Sequence, residues 1–237
     1  MYKRQPEILA AKGAELAATL AGSISLGCGQ FCTSPGVIVL LPSTASDAFV
    51  EQLRTALAAQ NPHAMLTQGM RQAFDAGVAH LLESGVKPLL HEASDAPAPR
   101  PFLSEVDAVH FIAKAALREE VFGPASLIVR ADSVAQALEV LQAVGGSLTV
   151  TLWGTDTDTA DHRALVRGAM AIAGRVLFAG VPTGVAVTAA QQHGGPWPSS
   201  TQPMTTSVGD TALNRFLRPV CLQDAPAWLL ARKGQPC

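Results

Sequence analysis

Charged side chains are scarce in this sequence of 237 residues. Lysine, arginine, aspartate and glutamate make up 15% of it, apolar residues make up 48%, and the formal net charge is −2. No lysine and arginine cluster is present, so the chain lacks the basic field that attracts phosphate backbones. The composition argues against a disordered or nucleic-acid-binding protein and favours a packed α/β domain.

Cysteine is also rare, and its spacing is unlike that of a metal site. The four cysteines are Cys28, Cys32, Cys221 and Cys237, too few for a disulfide scaffold. No second pair of Cys or His follows Cys28 and Cys32 at zinc spacing, so we expect no metal. One reactive thiol in the reducing cytoplasm is the simpler interpretation.

Long apolar runs are missing as well. No stretch reaches the about eighteen uncharged apolar residues expected of a membrane-spanning helix. The amino-terminal segment is interrupted by Glu7, Lys12 and Glu15, which is unlike a signal peptide. We therefore expect a soluble, cytoplasmic protein with no membrane partner.

The apolar residues that are present follow the periods of helices and strands in alternation. Helical spacing occurs over residues 6–21, 46–59, 64–84, 134–144 and 159–173. Short apolar or β-branched runs predict strands at 37–41, 87–91, 106–112, 125–129, 147–153 and 175–179. This order predicts an α/β fold, with a largely parallel sheet flanked by helices. Residues 191–203 are predicted to be loop, and 213–221 a short helix that runs into a final strand.

The segment from Gly27 to Gly36 has the composition of a nucleophile site. It reads Gly-Cys-Gly-Gln-Phe-Cys-Thr-Ser-Pro-Gly. Glycines allow tight turns and close approach of a ligand, and the Thr-Ser-Pro run favours a turn whose N–H groups stabilise a thiolate or an oxyanion. A buried, inert cysteine is the alternative on composition alone.

The string Gly-Gln-Phe-Cys-Thr-Ser-Pro-Gly resembles the active-site signature of the aldehyde dehydrogenase superfamily. A second string, Arg-Glu-Glu-Val-Phe-Gly-Pro at 118–124, resembles that superfamily's Glu-Glu-x-Phe-Gly-Pro motif. The resemblance implies that Cys32 is the nucleophile. It also implies that Glu120 holds the ribose hydroxyls of NADP or NAD and that Phe122 packs beside the nicotinamide. A carboxylate suits that role because it accepts two hydrogen bonds from vicinal hydroxyls. A solvated helix end with a Gly-Pro stop is the alternative for the second string.

A third string, His-Gly-Gly-Pro-Trp-Pro-Ser-Ser-Thr at 193–201, resembles the loop that shapes the substrate entrance in many members. With the later Thr-Ser-Val-Gly and Arg-Phe-Leu-Arg-Pro-Val-Cys, it resembles the branch of α-ketoglutaric semialdehyde dehydrogenases and NADP-linked long-chain aldehyde dehydrogenases. His193 is expected to be either a substrate contact or a loop brace. The substrate pocket is expected to include Gln30, Phe31, Thr33, His193 and Gly194.

The reaction implied by the resemblance is oxidation of an aldehyde, such as 2,5-dioxovalerate, to a carboxylic acid. Cys32 adds to the aldehyde, hydride leaves to the nicotinamide, and water hydrolyses the resulting thioester. Members are usually much longer than this chain, and the Leu-Glu-Leu-Gly-Gly-like segment that carries their general base is not in the sequence. We therefore expect a truncated catalytic portion that lacks most of the cofactor domain.

Two regions and two alternative functions complete the prediction. Residues 1–205 are expected to form the catalytic domain, and 206–237 a tail whose strand at 218–223 joins copies into a homo-oligomer. One alternative is a catalytically incomplete fragment that acts only as an oligomerisation partner. The other is a weak esterase that depends on Cys32, because acylation of a thiol needs no cofactor.

Overall fold

The computed structural model describes residues 4–60, 63–94, 96–182, 184, 188–226 and 228. Its α-helices are α1 (Arg4–Ser25), α2 (Thr44–Ala58), α3 (Gln68–Glu83), α4 (Ala108–Ala113), α5 (Val134–Val144) and α6 (Ala160–Ile172). Its strands are β1 (Val37–Leu40), β2 (Lys87–Leu90), β3 (Phe102–Asp107), β4 (Ala125–Arg130), β5 (Ser147–Thr151) and β6 (Ala173–Leu177). Short 3-10 turns cover Leu26–Gly29, Ala115–Arg118 and Ala212–Phe216.

The strands form two sheets in the described part of the chain. Four strands lie in the order β1-β4-β3-β2, and β5 pairs with β6. The pairs β1–β4, β3–β4 and β5–β6 are parallel, whereas β2 is antiparallel to β3. The prediction of an α/β fold with a largely parallel sheet is confirmed.

Helices cover both faces of the four-stranded sheet, because β4 is apolar on both sides. Ile128 packs with α1 and α2, whereas Leu127 and Val129 pack with α3, α4 and α5. In α2 the buried residues include Phe49, Leu53 and Leu57, which recur every four residues and form one helix face. Full burial of a side chain of this size stabilises the fold by about 1.5–3 kcal/mol.

Short polar side chains fix where the helices begin. The residue before each of α2 to α6 accepts a hydrogen bond from the third N–H of its helix; these capping residues are Ser43, Thr67, Asp107, Ser133 and Thr159. Such caps satisfy N–H groups that the helix itself leaves unpaired.

One predicted strand is wrong. Residues 106–112 were expected to be extended, but β3 ends at Asp107 and α4 begins at Ala108. The carboxylate of Asp107 accepts a hydrogen bond from the His110 N–H at 2.8 Å, and Ala108 and Phe111 are buried three residues apart. The cap and the helical spacing outweigh the β preference of the valines in this run.

The carboxyl-terminal part has little regular structure. Residues 191–203 contain no helix or strand, as predicted, and residues 217–226 lie outside any helix or strand that the structure describes. The final strand expected at 218–223 is therefore not formed within the chain. Among the described residues no helix is long and apolar enough to cross a membrane.

Candidate active site

The segments singled out in the sequence lie at the amino ends of parallel strands. Cys32 comes before β1 and Glu120 before β4, and Gly146 lies just before β5 of the second sheet. Amino ends of parallel strands meet at one edge of a sheet. Cys32, Glu120 and Gly146 accordingly line a common cavity at this edge.

Cys32 lies in an exposed turn. The Ser34 N–H donates to the Phe31 carbonyl at 3.1 Å, which places Cys32 and Thr33 at the two central positions. The Cys32 side chain is exposed, whereas Thr33 is buried. The thiol can therefore be reached from solvent while its backbone is held by the turn.

The turn is preceded by a left-handed stretch, a conformation that favours glycine. Gly27, Cys28 and Gly29 have φ values of 57°, 60° and 68°. A Cβ added to Gly29 would lie 2.1 Å from the Gly123 carbonyl carbon. The backbone of the cysteine segment thus lies directly against the Gly123-Pro124 peptide of the second motif. The absent Cβ of Gly29 is what brings the two motifs together.

Gln30 and Phe31 brace this segment. The Gln30 amide accepts from the Leu66 N–H at 2.8 Å and donates to the Gly27 carbonyl at 2.8 Å. The Phe31 ring lies over Gly27, at 2.7 Å from the position a Cβ would take there. Neither residue lines the cavity that contains Cys32. The structure places both as supports of the turn.

His193 lies against the Cys32 thiol. Its Nε2 is 3.4 Å from the Cys32 Sγ, although the two residues are 161 positions apart. Burial lowers the pKa of His193, and the positive charge of Arg175 lowers it further. The ring is therefore neutral near pH 7 and presents a nitrogen that can accept the thiol proton. Within the described residues its Nδ1 is buried and has no hydrogen-bond partner.

The other nearby cysteine has a different environment. Cys28 is 3% exposed and packs in the core. Burial raises the pKa of its thiol, and the charge of Arg71 only partly opposes this. A buried thiol of this kind is a poor nucleophile.

A cavity of about 870 Å³ opens beside Cys32. Four of the predicted site residues line it, namely Cys32, Thr33, Glu120 and Phe122. Glu120 and Phe122 are exposed, and Phe122 is 38% exposed. The neighbouring Glu119 also lines the cavity, but its carboxylate lies 4.0 Å from the His80 ring. Glu120 and Phe122 thus share this cavity with Cys32.

The loop of His193 and Gly194 lies on the starts of β5 and β6. A Cβ on Gly174 would lie 2.4 Å from the Gly194 carbonyl oxygen, and one on Gly195 would lie 2.5 Å from the Ser147 carbonyl oxygen. Gly194 is buried, and neither it nor His193 lines the cavity beside Cys32. No group of three or more metal-ligating side chains occurs among the residues the structure describes.

Three residues of this site were missed by sequence reasoning. Arg175 acts on His193 through its charge. Thr206 and Ser207 hydrogen-bond to the His193 backbone. The Thr-Ser-Val-Gly string that contains the last two was noticed, but nothing local connects it to a histidine 13 positions earlier.

The chain is similar to known enzymes over nearly all of its length. It is 43% identical over 228 residues to Alpha-ketoglutaric semialdehyde dehydrogenase 2 of Azospirillum brasilense. It is 39% identical over 231 residues to the Alpha-ketoglutaric semialdehyde dehydrogenase of Acinetobacter baylyi. Both alignments cover 95% of this chain but only 43% and 44% of the relatives, so the chain spans less than half their length. No family model matches it.

Solved structures share the fold at lower identity. An NAD-dependent aldehyde dehydrogenase from Sinorhizobium meliloti matches with a TM-score of 0.62 and 22% identity, over 79% of this chain and 38% of that one. Proline utilization A of Bradyrhizobium japonicum matches with a TM-score of 0.66 and 19% identity, over 81% of this chain and 20% of that one.

Proposed function

We propose that this chain, which belongs to the aldehyde dehydrogenase superfamily, is a catalytic portion that oxidises an aldehyde to a carboxylic acid with NAD or NADP. Cys32 is the nucleophile. The observation that carries the proposal is the exposed Cys32 thiol, held in a turn against the second motif and 3.4 Å from the His193 ring. The names of the two curated relatives support a semialdehyde that bears a carboxylate, such as 2,5-dioxovalerate.

The Cys32–His193 pair supplies the first chemical step. The sulfur forms a bond to the aldehyde carbon, its proton passes to His193 Nε2, and the carbonyl oxygen becomes an oxyanion. Because Cys32 is a central residue of the Phe31–Ser34 turn, backbone N–H groups of that turn are the candidate donors to the oxyanion. Proton transfer to a positioned base contributes about 10²–10⁴-fold to such a step.

The proposed cofactor contacts are Glu120 and Phe122. The Glu120 carboxylate would accept hydrogen bonds from ribose hydroxyls, and Phe122 would pack against the nicotinamide ring. When bound, the nicotinamide accepts a hydride, which is the oxidation itself. Thr33 completes the wall of the substrate pocket beside Cys32, whereas Gln30 and Phe31 support it from behind.

The catalytic domain is proposed to cover residues 1–205 and the tail residues 206–237, and Thr206 and Ser207 at the start of the tail hydrogen-bond to the His193 backbone. The tail that follows exposes a series of apolar side chains, Leu213, Phe216, Leu217, Val220 and Leu222. An exposed apolar series favours association, which supports a homo-oligomer formed through residues 218–223. We also propose that the protein is cytoplasmic.

One alternative has direct support from the site. An ester can acylate a thiol beside an imidazole, and water can then hydrolyse the resulting thioester without any cofactor. Cys32-dependent esterase activity is therefore expected from the chain alone. A purely structural oligomerisation partner is the other alternative. It predicts no activity that depends on Cys32.

The test compares wild type, Cys32→Ser and the control Cys28→Ser in two assays. The first follows reduction of NAD or NADP by absorbance with 2,5-dioxovalerate, and the second follows hydrolysis of p-nitrophenyl acetate. We expect ester turnover to fall by about 10³-fold or more in Cys32→Ser and to persist in Cys28→Ser. Oxidation by this chain would support a working cofactor site. Equal rates in wild type and Cys32→Ser in both assays would contradict the proposed nucleophile.

A further inference from the structure

We propose that Thr206 and Ser207 are positioning residues that hold His193 against the Cys32 thiol. The inference rests on the proposed function, since it assigns a role to residues that touch neither substrate nor thiol. Both residues follow the His-Gly-Gly-Pro loop, and the family resemblance gives neither of them a catalytic role.

Both backbone polar groups of His193 are bound by this one turn. The Thr206 Oγ1 accepts from the His193 N–H at 2.9 Å and donates to the Val208 carbonyl at 2.7 Å. The Ser207 N–H and Oγ both donate to the His193 carbonyl, at 2.9 Å and 3.0 Å. Thr206 is 2% exposed, so water does not compete for its hydroxyl. The N–H and the carbonyl of His193 are therefore both held by hydrogen bonds.

The flanking residues are fixed in the same way. The Gln192 side chain donates to the Thr205 carbonyl at 3.1 Å. On the other side, Gly194 lies close to the backbone of Gly174. Once the His193 backbone is held, only its two side-chain torsions separate the ring from its place beside Cys32.

The ring itself lacks the support that a base in such a pair usually has. A base beside a nucleophile is normally oriented by a third group, bonded to its other nitrogen. Within the described residues the His193 Nδ1 has no hydrogen-bond partner. Its orientation must then come from the backbone and from packing, and the bonds from Thr206 and Ser207 provide the backbone part. A misplacement of about 1 Å can lower a rate by about 10²-fold.

The experiment removes the hydroxyl while keeping the shape of the side chain. Thr206→Val keeps the volume but loses the hydroxyl, and Thr206→Ser keeps the hydroxyl. Thr55→Val is the matched control, since Thr55 is exposed on α2, which contributes no residue to the cavity beside Cys32. In the full chain we would measure the kcat and KM of p-nitrophenyl acetate hydrolysis from pH 5 to 9. The rate of Cys32 carbamidomethylation would be followed by mass spectrometry over the same range.

We expect Thr206→Val to lower kcat by about 10–100-fold, with KM within about threefold of wild type. It should also flatten the dependence of both rates on His193 protonation. Thr206→Ser should recover most of the activity, and Thr55→Val should match wild type. A purely structural threonine would change stability without altering the pH profile.

Two results separate this proposal from the function it rests on. If His193→Ala loses activity while Thr206→Val keeps wild-type kcat and pH profile, the positioning role is wrong and the Cys–His pair stands. If His193→Ala has wild-type activity, the base itself is wrong and the positioning role falls with it. Should Thr206→Val fail to fold, Ser207→Ala becomes the deciding variant. A reduction of about 3–10-fold in kcat would support the proposal, whereas an unchanged kcat would overturn it.

Discussion

The contact between Gly29 and Gly123 gives the sharpest prediction about the site, and the substitution that tests it is Gly29→Ala. The new Cβ would lie 2.1 Å from the Gly123 carbonyl carbon and 2.4 Å from the Pro124 nitrogen, whereas ordinary contact begins near 3.4 Å. The peptide would have to retreat by about 1.3 Å. It cannot do so freely, because Gly123 lies against the buried Phe74 ring and the Pro124 carbonyl accepts the Phe102 N–H at 2.9 Å.

The magnitude follows from two separate costs. Holding alanine at φ 68° costs about 1–2 kcal/mol, and overpacking of a tight contact costs about 1–3 kcal/mol. We therefore expect Gly29→Ala to lower the free energy of unfolding by about 2–5 kcal/mol, a large part of the about 5–15 kcal/mol typical of a domain. Urea denaturation followed by circular dichroism measures this directly.

The control is Gly22→Ala on the exposed side of α1. A Cβ at Gly22 meets nothing within 4 Å, so alanine there should stabilise the helix by about 0.5–1 kcal/mol. Two glycines seven positions apart are thus predicted to respond with opposite signs. Unfolding free energies for Gly29→Ala within about 0.5 kcal/mol of wild type would refute the packing of the two motifs against each other.

Three further predictions concern charge. The pKa of His193 is lowered by burial and by Arg175, so between that lowered value and about 6.5 the unfolded state binds a proton that the folded state does not. Stability should fall as the pH falls through this window, whereas ester turnover should fall at its lower end, where His193 of the folded protein becomes protonated. His193→Gln should remove its share of the stability change in urea midpoints taken from pH 5 to 8. Burial raises the pKa of Glu105, but the hydrogen bond and charge of Lys87, together with Arg130, lower it overall. Its stabilising contribution is present above pH 4.5 and is lost as the pH falls through the lowered pKa. Glu105→Gln should therefore cost about 1–2 kcal/mol at pH 7 and progressively less as the pH falls below 4.5 in the same titrations. Glu120→Gln should weaken NADP or NAD binding by about tenfold in a fluorescence titration while Glu119→Gln leaves it unchanged; equal effects would contradict the ribose contact.

Much of the fold could be predicted because the relevant information is local. The helix at 134–144 has a capping serine before it and a glycine after it, and the structure has the same bounds. The strand predicted at 106–112 was wrong because the apolar residues of this run suit a strand and a helix equally well at that length. What decides between them is the Asp107 carboxylate, which can cap a helix but contributes nothing to a strand pattern.

The site could be predicted only as separate strings of residues. Glycine at 29 and at 123 is visible in the sequence, but their mutual contact depends on β1 and β4 becoming neighbours in the sheet. His193 was expected to be a substrate contact or a loop brace. Its backbone is in fact held by the turn at 206–208, while its ring reaches the thiol. Such pairings between distant loops leave no periodic signal in one sequence.

The location of the site at the amino edge of the sheet explains why a histidine is needed there. Helices that follow parallel strands run back toward the next strand's start, so α5 and α6 end near this edge, and α1 ends just before the cysteine segment. Helix carboxyl ends carry partial negative charge, which opposes a thiolate and favours a cation. Ligand sites in most open α/β sheets lie at the other edge, where helix amino ends favour anions. A nucleophile at this edge gains nothing from the helices, so its stabilisation must come from the N–H groups of its own turn and from a base brought against it. Under the proposed function, the Cys32–His193 contact supplies that base.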